Sequence, residues 1–235
     1  MRLHRFIGPF DFSQKTLIID DESFVQQWRT VLRLGIGDSI ILSDGHGKET
    51  EAVIIEMDKK TAEVTLGTIT TPEREPVKMA TLYCAMLKRE NFELVVQKAT
   101  EIGIARIVPI VTERTVKTGQ NRDRLLKIIR EAAEQSGRTV LPELAEPLRF
   151  RDAVAEAAGT PSLFFDLSGT SMDFSKNTTA YTSCFIGPEG GFSEPEVALA
   201  RENNLTVASL GTLTLRGETA AIVVSYLLTH YGVPN

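Results

Sequence analysis

No stretch of this sequence is long and apolar enough to span a bilayer. The longest near-apolar run, residues 220–228, falls well short of the roughly 20 residues a spanning helix needs. The opening segment, MRLHRFIGPFDF, has no apolar core of the kind a secretory signal carries. Cysteine is scarce. Cys84 and Cys184 lie in strand-like apolar segments outside any Cys-x-x-Cys or Cys/His pattern, which argues against a disulfide framework or a structural zinc and for a reducing, cytoplasmic setting. His4, His46 and His230 are scattered, so no metal site is expected. Neither a Gly-Lys-Ser/Thr phosphate loop nor a G-x-G-x-x-G turn occurs, which removes the commonest nucleotide-binding signatures. There is no internal repeat and no low-complexity tract. What remains is an ordinary globular composition, 42% hydrophobic and 24% charged over 235 residues, enough for a full core and one or two domains.

The net charge of −5 by itself argues against nucleic acid, but its distribution is uneven. Residues 1–80 carry 10 basic and 13 acidic groups, residues 81–151 carry 13 and 9, and residues 152–235 carry 3 and 9. A basic block thus sits inside an acidic chain, readable either as solvated helix faces or as a local phosphate-binding surface.

Residues 1 to about 70 read as all-β. Segments 16–19, 38–43, 50–57 and 61–69 are short and rich in Val, Ile and Thr, and DGHGK (44–48) reads as a hairpin loop. One amphipathic helix, 23–34, interrupts them, with Val25, Trp28, Val31 and Leu32 at helical spacing and Gly35 as its stop. The proline-containing TPEREPVK (71–78) reads as a linker. Beyond it strands at 80–87, 106–111, 162–166, 181–186 and 206–210 alternate with helices at 90–102, 121–136, from 193, and 218–231, which implies a mostly parallel α/β sheet.

Two segments look equipped for chemistry. In FIGPEGGFSEPE (185–196) a strand ends at Ile186, glycines at 187, 190 and 191 permit tight turns, and Ser193 with Glu196 forms an S-x-x-E helix start. Such a loop is either a tight strand–helix connection or a ligand cradle, since open α/β sheets bind ligands at strand C-termini. Its glutamate repels phosphate and favours a ligand with cationic or neutral donor groups. In LGTLTLRGETAA (210–221) Gly211 follows a strand and Gly217 precedes a long apolar helix. Glu218 is well placed for that helix dipole, whereas Arg216 opposes it.

The pair IGPEGGFSEPE and LGTLTLRGETAA closely resembles the last two signature motifs of the SPOUT superfamily of S-adenosylmethionine-dependent RNA methyltransferases. VQKATEIGIARIVPIVTERTV (96–116) and EAAEQSGRTVLPEL (131–144) are similar to the branch that methylates N3 of a uridine in 16S ribosomal RNA, and VLRLGIGDSIILSDGHG (31–47) with Arg5–Phe6 resembles that branch's N-terminal barrel. The resemblance implies a PUA-like RNA-binding β-barrel over residues 1–72. It also implies a SPOUT α/β methyltransferase domain over 78–235, with a deep trefoil knot that general topology rules would not suggest. It further implies a homodimer, with the helix from Glu218 against the mate, a cytoplasmic location, and 16S rRNA of the small ribosomal subunit as partner, with no membrane and no metal.

Carried over by resemblance, S-adenosylmethionine would be held by Leu167, Ser168 and Gly169, by Ile186, Gly187, Pro188, Glu189, Gly190 and Gly191, and by Leu210, Gly211, Leu213, Leu215 and Arg216. The chemistry needs the uracil N3 proton removed and the resulting anion stabilised. Arg216 is the candidate for the anion and Glu189 or Glu218 for the proton; the alternative is that Glu189 only fixes its loop and Glu218 only caps a helix. For RNA, the candidates are Arg5 and Arg33 in the barrel and Lys88, Arg89, Lys98, Arg114 and Arg138 in the basic block. Two other functions fit parts of the same pattern: a 2′-O-ribose methyltransferase, and a ribosome assembly factor without catalysis.

Overall fold

The computed structural model describes residues 3–116, 119–174 and 181–231. The chain divides into two compact units. The first comprises Met1–Glu75 with Ala133–Leu141, and the second Pro76–Ala132 with Pro142–Asn235. The return of 133–141 to the first unit is a long-range grouping that a reading along the chain did not contain. Among the described residues no helix is long and apolar enough to cross a membrane.

The first unit is built from β1 (Arg5–Ile7), β2 (Thr16–Ile19), α1 (Glu22–Gln26), β3 (Ser39–Ser43), β4 (Glu49–Met57) and β5 (Ala62–Leu66), in a sheet of order β1-β3-β4-β5-β2. β1 joins β3 in parallel and the other pairings are antiparallel. The 44–48 hairpin is closed by Asp44, whose Oδ1 accepts from the backbone N–H of His46 at 2.7 Å and of Lys48 at 3.0 Å. The single helix expected over 23–34 is instead a short α1, capped by Asp21, that widens into a π-helical turn at Gln27–Val31. Reversal then occurs at Arg33, with φ 57°, and not at Gly35. The wider turn belongs to the segment that buries Trp28 fully among Phe6, Phe24, Ile40 and Leu42.

The second unit contains β6 (Met79–Ala85), α2 (Arg89–Ile102), β7 (Arg106–Val111), α3 (Arg122–Ser136, whose last residues group with the first unit), β8 (Glu143–Leu144) and β9 (Leu148–Arg149). It continues through α4 (Phe150–Glu156), β10 (Ser162–Ser171), β11 (Tyr181–Ile186), α5 (Glu194–Glu202), β12 (Thr206–Ser209) and α6 (Gly217–His230). The sheet order is β12-β10-β11-β6-β7-β8, with β9 also on β7, and every pairing is parallel. Parallel strands need crossovers, and α2, α3, α4 and α5 lie in four of the connections. Alternation along β6 sends Tyr83 and Ala85 toward α4 and α5, and Leu82 and Cys84 toward the opposite face, where α6 packs.

An aromatic cluster holds the α4/α5 side together. Tyr83 stacks on Phe185 at 4.4 Å, and Phe164 lies 4.1 Å from Phe192. Phe192 directly follows the glycine loop of 187–191 and is buried, so it anchors that loop in the core. On the α2–α3 side, Glu93 accepts two hydrogen bonds from Arg124, at 2.6 and 2.7 Å, and one from Arg89 at 3.0 Å. The hydrogen bonds from Arg124, aided by Arg89, outweigh burial and hold the Glu93 carboxyl down at about 2.

Two outcomes follow from this packing. Phe192→Ala empties part of the aromatic cluster and should destabilise the protein by about 3–5 kcal/mol in chemical denaturation. Because the folded-state carboxyl of Glu93 is depressed, its stabilisation is complete above the ordinary carboxyl range near 4.5 and is lost as pH falls toward about 2. The stability difference between wild type and Glu93→Gln, measured by urea melts, should therefore be constant near neutrality and shrink across that acid window.

Candidate functional site

A bulge within β10 and the loops that follow β11 and β12, with the starts of α2 and α6, line a cavity of about 650 Å³ in the second unit. This is the position at which open parallel sheets present ligands, and the size suits a drug-sized molecule. Its wall includes Lys88 and Asn91 from α2, Asp166 and Leu167 from β10, residues 186–192, residues 209–211 and 213–218, and Ala220.

The β10 wall is made by an irregularity. Pairing with β12 shifts register between Phe165 and Thr170. Within the bulge the Asp166 carboxylate accepts from the backbone N–H of Ser168 at 2.8 Å and from its hydroxyl at 2.6 Å. This local turn leaves Asp166 and Leu167 lining the cavity. Ser168 and Gly169, expected with Leu167 at the cofactor, do not line it: the Ser168 hydroxyl serves Asp166, and Gly169 lies against β12. A Cβ at Gly169 would sit 2.4 Å from the carbonyl carbon of Ala208, so this glycine is required by the approach of two backbones.

The 187–191 loop is fixed from several sides. A Cβ at Gly187 would lie 3.0 Å from the Phe192 ring beneath it. Pro188 C=O accepts from Gly191 N–H at 2.9 Å, and Gly190 C=O from the Arg114 guanidinium at 2.8 Å. Glu189 Oε1 accepts from the backbone N–H of Lys88, at the start of α2, at 3.1 Å. Glu196 is buried and accepts from Ser193 N–H and from Glu113 N–H, both at 2.9 Å, so the expected helix start also ties this loop to the chain after β7.

In the 210–216 loop, Gly211 takes φ 126° and exchanges hydrogen bonds with the Ser209 hydroxyl. Leu213 and Leu215, with Leu167, are large apolar side chains left exposed at the cavity. Arg216 is exposed at the start of α6, whereas Glu218 is 8% exposed and its Oε2 has no hydrogen-bond partner among the described residues.

Glu189, Arg216 and Glu218, the expected catalytic trio, thus share one cavity. So do Leu167, Ile186, Gly187, Pro188, Gly190, Gly191, Leu210, Gly211, Leu213 and Leu215 from the expected cofactor set. Asn91 and Asp166 were missed. Asn91 stands at the helix start that follows a parallel strand, the same signal that picked out the glycine loops, whereas Asp166 lies at a bulge within β10 that no local signal marked.

The expected RNA contacts divide differently. The Arg5 side chain is buried in an ion pair with Glu49, and Arg138 is 7% exposed and paired with Glu75, so neither is presented to an RNA. Burial pushes the Glu49 carboxyl up, but Arg5 and Arg74 outweigh it and hold it below the usual range. Arg89 is shared with Glu93, and Lys98 pairs with Glu101 at 2.8 Å. Arg33 and Lys88 are exposed, Lys88 on the cavity, and Arg114 reaches the glycine loop. Much of the basic block's charge is thereby matched in place.

Known proteins resemble this chain in sequence and in fold. Residues 73–229 match the family model described as RNA methyltransferase domain, and residues 29–67 the one described as RNA methyltransferase PUA domain. The chain is 35% identical over 203 residues to ribosomal RNA small subunit methyltransferase E of Synechocystis sp., covering 82% of this chain and 66% of that protein. It is 33% identical to the protein of the same name from Mesomycoplasma hyopneumoniae, over 66% of this chain and 70% of that one. Among solved structures, ribosomal RNA small subunit methyltransferase E from Neisseria gonorrhoeae, bound to S-adenosyl methionine, superposes with a TM-score of 0.89 at 27% identity and 95% coverage of both chains.

The Glu189–Lys88 bond has a direct check. Glu189→Ala removes a cap and should speed hydrogen exchange of the Lys88 amide by an amount corresponding to about 0.5–2 kcal/mol, whereas Glu189→Gln, which keeps an acceptor oxygen, should preserve its protection in NMR exchange measurements.

Proposed function

Because the chain belongs to the RNA methyltransferase family of ribosomal RNA small subunit methyltransferase E, we propose that it methylates N3 of a uridine in 16S ribosomal RNA with S-adenosylmethionine as donor. The observation that carries this reading is the charge and shape of the cavity. Its wall bears three carboxylates, Asp166, Glu189 and Glu218, against two cations, Lys88 and Arg216. The excess negative charge suits a donor of net positive charge. The exposed Leu167, Leu213 and Leu215 offer apolar faces to an adenine ring, and the glycine loops bring backbone N–H and C=O groups to its edges.

When bound, the sulfonium supplies an activated methyl group, so the protein's work is positioning and electrostatics. Arg216 and Glu189 are both exposed at the cavity, where a uridine drawn from its stack can reach them. Uracil N3 carries a proton, and its loss leaves negative charge on O2 and O4. Arg216 stabilises that charge. Glu189 holds the Lys88 N–H through Oε1 and has its second oxygen to accept the proton. Of the expected RNA contacts, Arg33, Lys88 and Arg114 are exposed and available to phosphates, so binding weakens as salt rises. Exposed Val223 and Tyr226 on α6 give a second copy of the chain an apolar face, in keeping with a homodimer. The trefoil knot belongs to this proposal through the family.

The test is transfer of labelled methyl from S-adenosylmethionine to small ribosomal subunits lacking the modification, followed by nucleoside analysis. Label in 3-methyluridine is the expected outcome, with Glu189→Gln lowering turnover by about 10²–10⁴-fold at saturating cofactor. Label in a 2′-O-methyl nucleoside would overturn the N3 assignment. Absence of both transfer and cofactor binding would favour the assembly-factor reading.

A further inference from the structure

Glu218 is the one carboxylate of the cavity wall that is buried, and its Oε2 lacks a partner among the described residues. The other two are engaged and less enclosed: Asp166 accepts from Ser168, and exposed Glu189 accepts from Lys88. Both cations of the wall, Lys88 and Arg216, are exposed, and neither forms an ion pair with Glu218. A buried, unpaired charge is unfavourable unless something compensates it. The first turn of α6, in which Glu218 lies, compensates only in part through its N-terminal dipole. Burial first, then the charges of Glu189 and Glu218, push up the thiol of Cys84 at the end of β6.

We propose that Glu218 is the counter-charge to the donor's sulfonium, and that it makes the cavity prefer the charged methyl donor over its neutral thioether product. The inference rests on the S-adenosylmethionine reading of the cavity and assigns Glu218 a binding role distinct from proton transfer. A sulfonium has no N–H or O–H to donate, so it needs a negative charge nearby more than a directed hydrogen bond. A buried carboxylate with an unengaged oxygen supplies that. Loss of the methyl group neutralises the sulfur and leaves Glu218 uncompensated again, which weakens the hold on the product and favours its release.

Calorimetric titration of the full chain with S-adenosylmethionine and with S-adenosylhomocysteine tests this without reference to activity. Wild type should bind the donor more tightly than the thioether. Glu218→Gln, which keeps shape and removes charge, should weaken donor binding by about tenfold or more, equivalent to about 1.4 kcal/mol, and leave the thioether within about twofold. Glu218→Asp, which keeps the charge on a shorter stem, should retain part of the preference and serves if the glutamine variant does not fold. Equal weakening of both ligands would make Glu218 a packing residue and overturn the proposal, as would unchanged binding of both. Equal affinity of wild type for the two ligands would overturn it without any variant. If wild type binds neither, the cofactor reading itself falls, and the inference with it.

Discussion

The cavity depends on the packing of Phe192. Its ring is held in the aromatic cluster with Phe150 and Phe164, and it rises against Gly187, where a Cβ would stand 3.0 Å away. The loop is therefore anchored at the core on one side and free of side-chain bulk on the other. The hydrogen bonds at Glu189, Gly190 and Glu196 then tie it to α2 and to the chain after β7. A binding wall built from backbone needs such bracing, because flexible loops lose affinity to the entropy of ordering them.

The same economy of space shapes the wall contributed by β10. The strand does not end at Asp166. It bulges there and then rejoins β12 through Gly169, so a strand neighbour both closes the sheet and projects Asp166 and Leu167 into the cavity. The bulge explains why the two residues after Leu167, Ser168 and Gly169, have structural and not ligand-facing positions.

Electrostatics separates the two halves of the proposed chemistry. Within the wall, exposed Glu189 and Arg216 stand where solvent and substrate reach, while Glu218 is enclosed. Outside it, the apparent basic block is largely internal bookkeeping: Arg106 pairs with Glu143 and Glu156, Arg122 with Glu146, Arg124 with Glu93 and Arg138 with Glu75. A count of charges along the chain therefore overstated the positive surface. What a phosphate backbone meets depends on which arginines lack carboxylate neighbours, and those neighbours lie up to 63 residues away in the case of Arg138.

The sequence by itself determined the two-part architecture, the alternation of strands and helices in the second unit, and the two glycine-bearing loops. Those features rest on local periodicity and on residues such as Gly191 and Gly211 whose conformational demands are readable in place. It did not determine the π-helical turn that buries Trp28, the return of residues 133–141 to the first unit, or the bulge at Asp166. Nor could it rank Glu189 against Glu218, or separate Arg5 and Arg138 from Arg33 and Lys88. Those distinctions are matters of burial and pairing, fixed by contacts between segments far apart in the chain, and only the tertiary structure decides them.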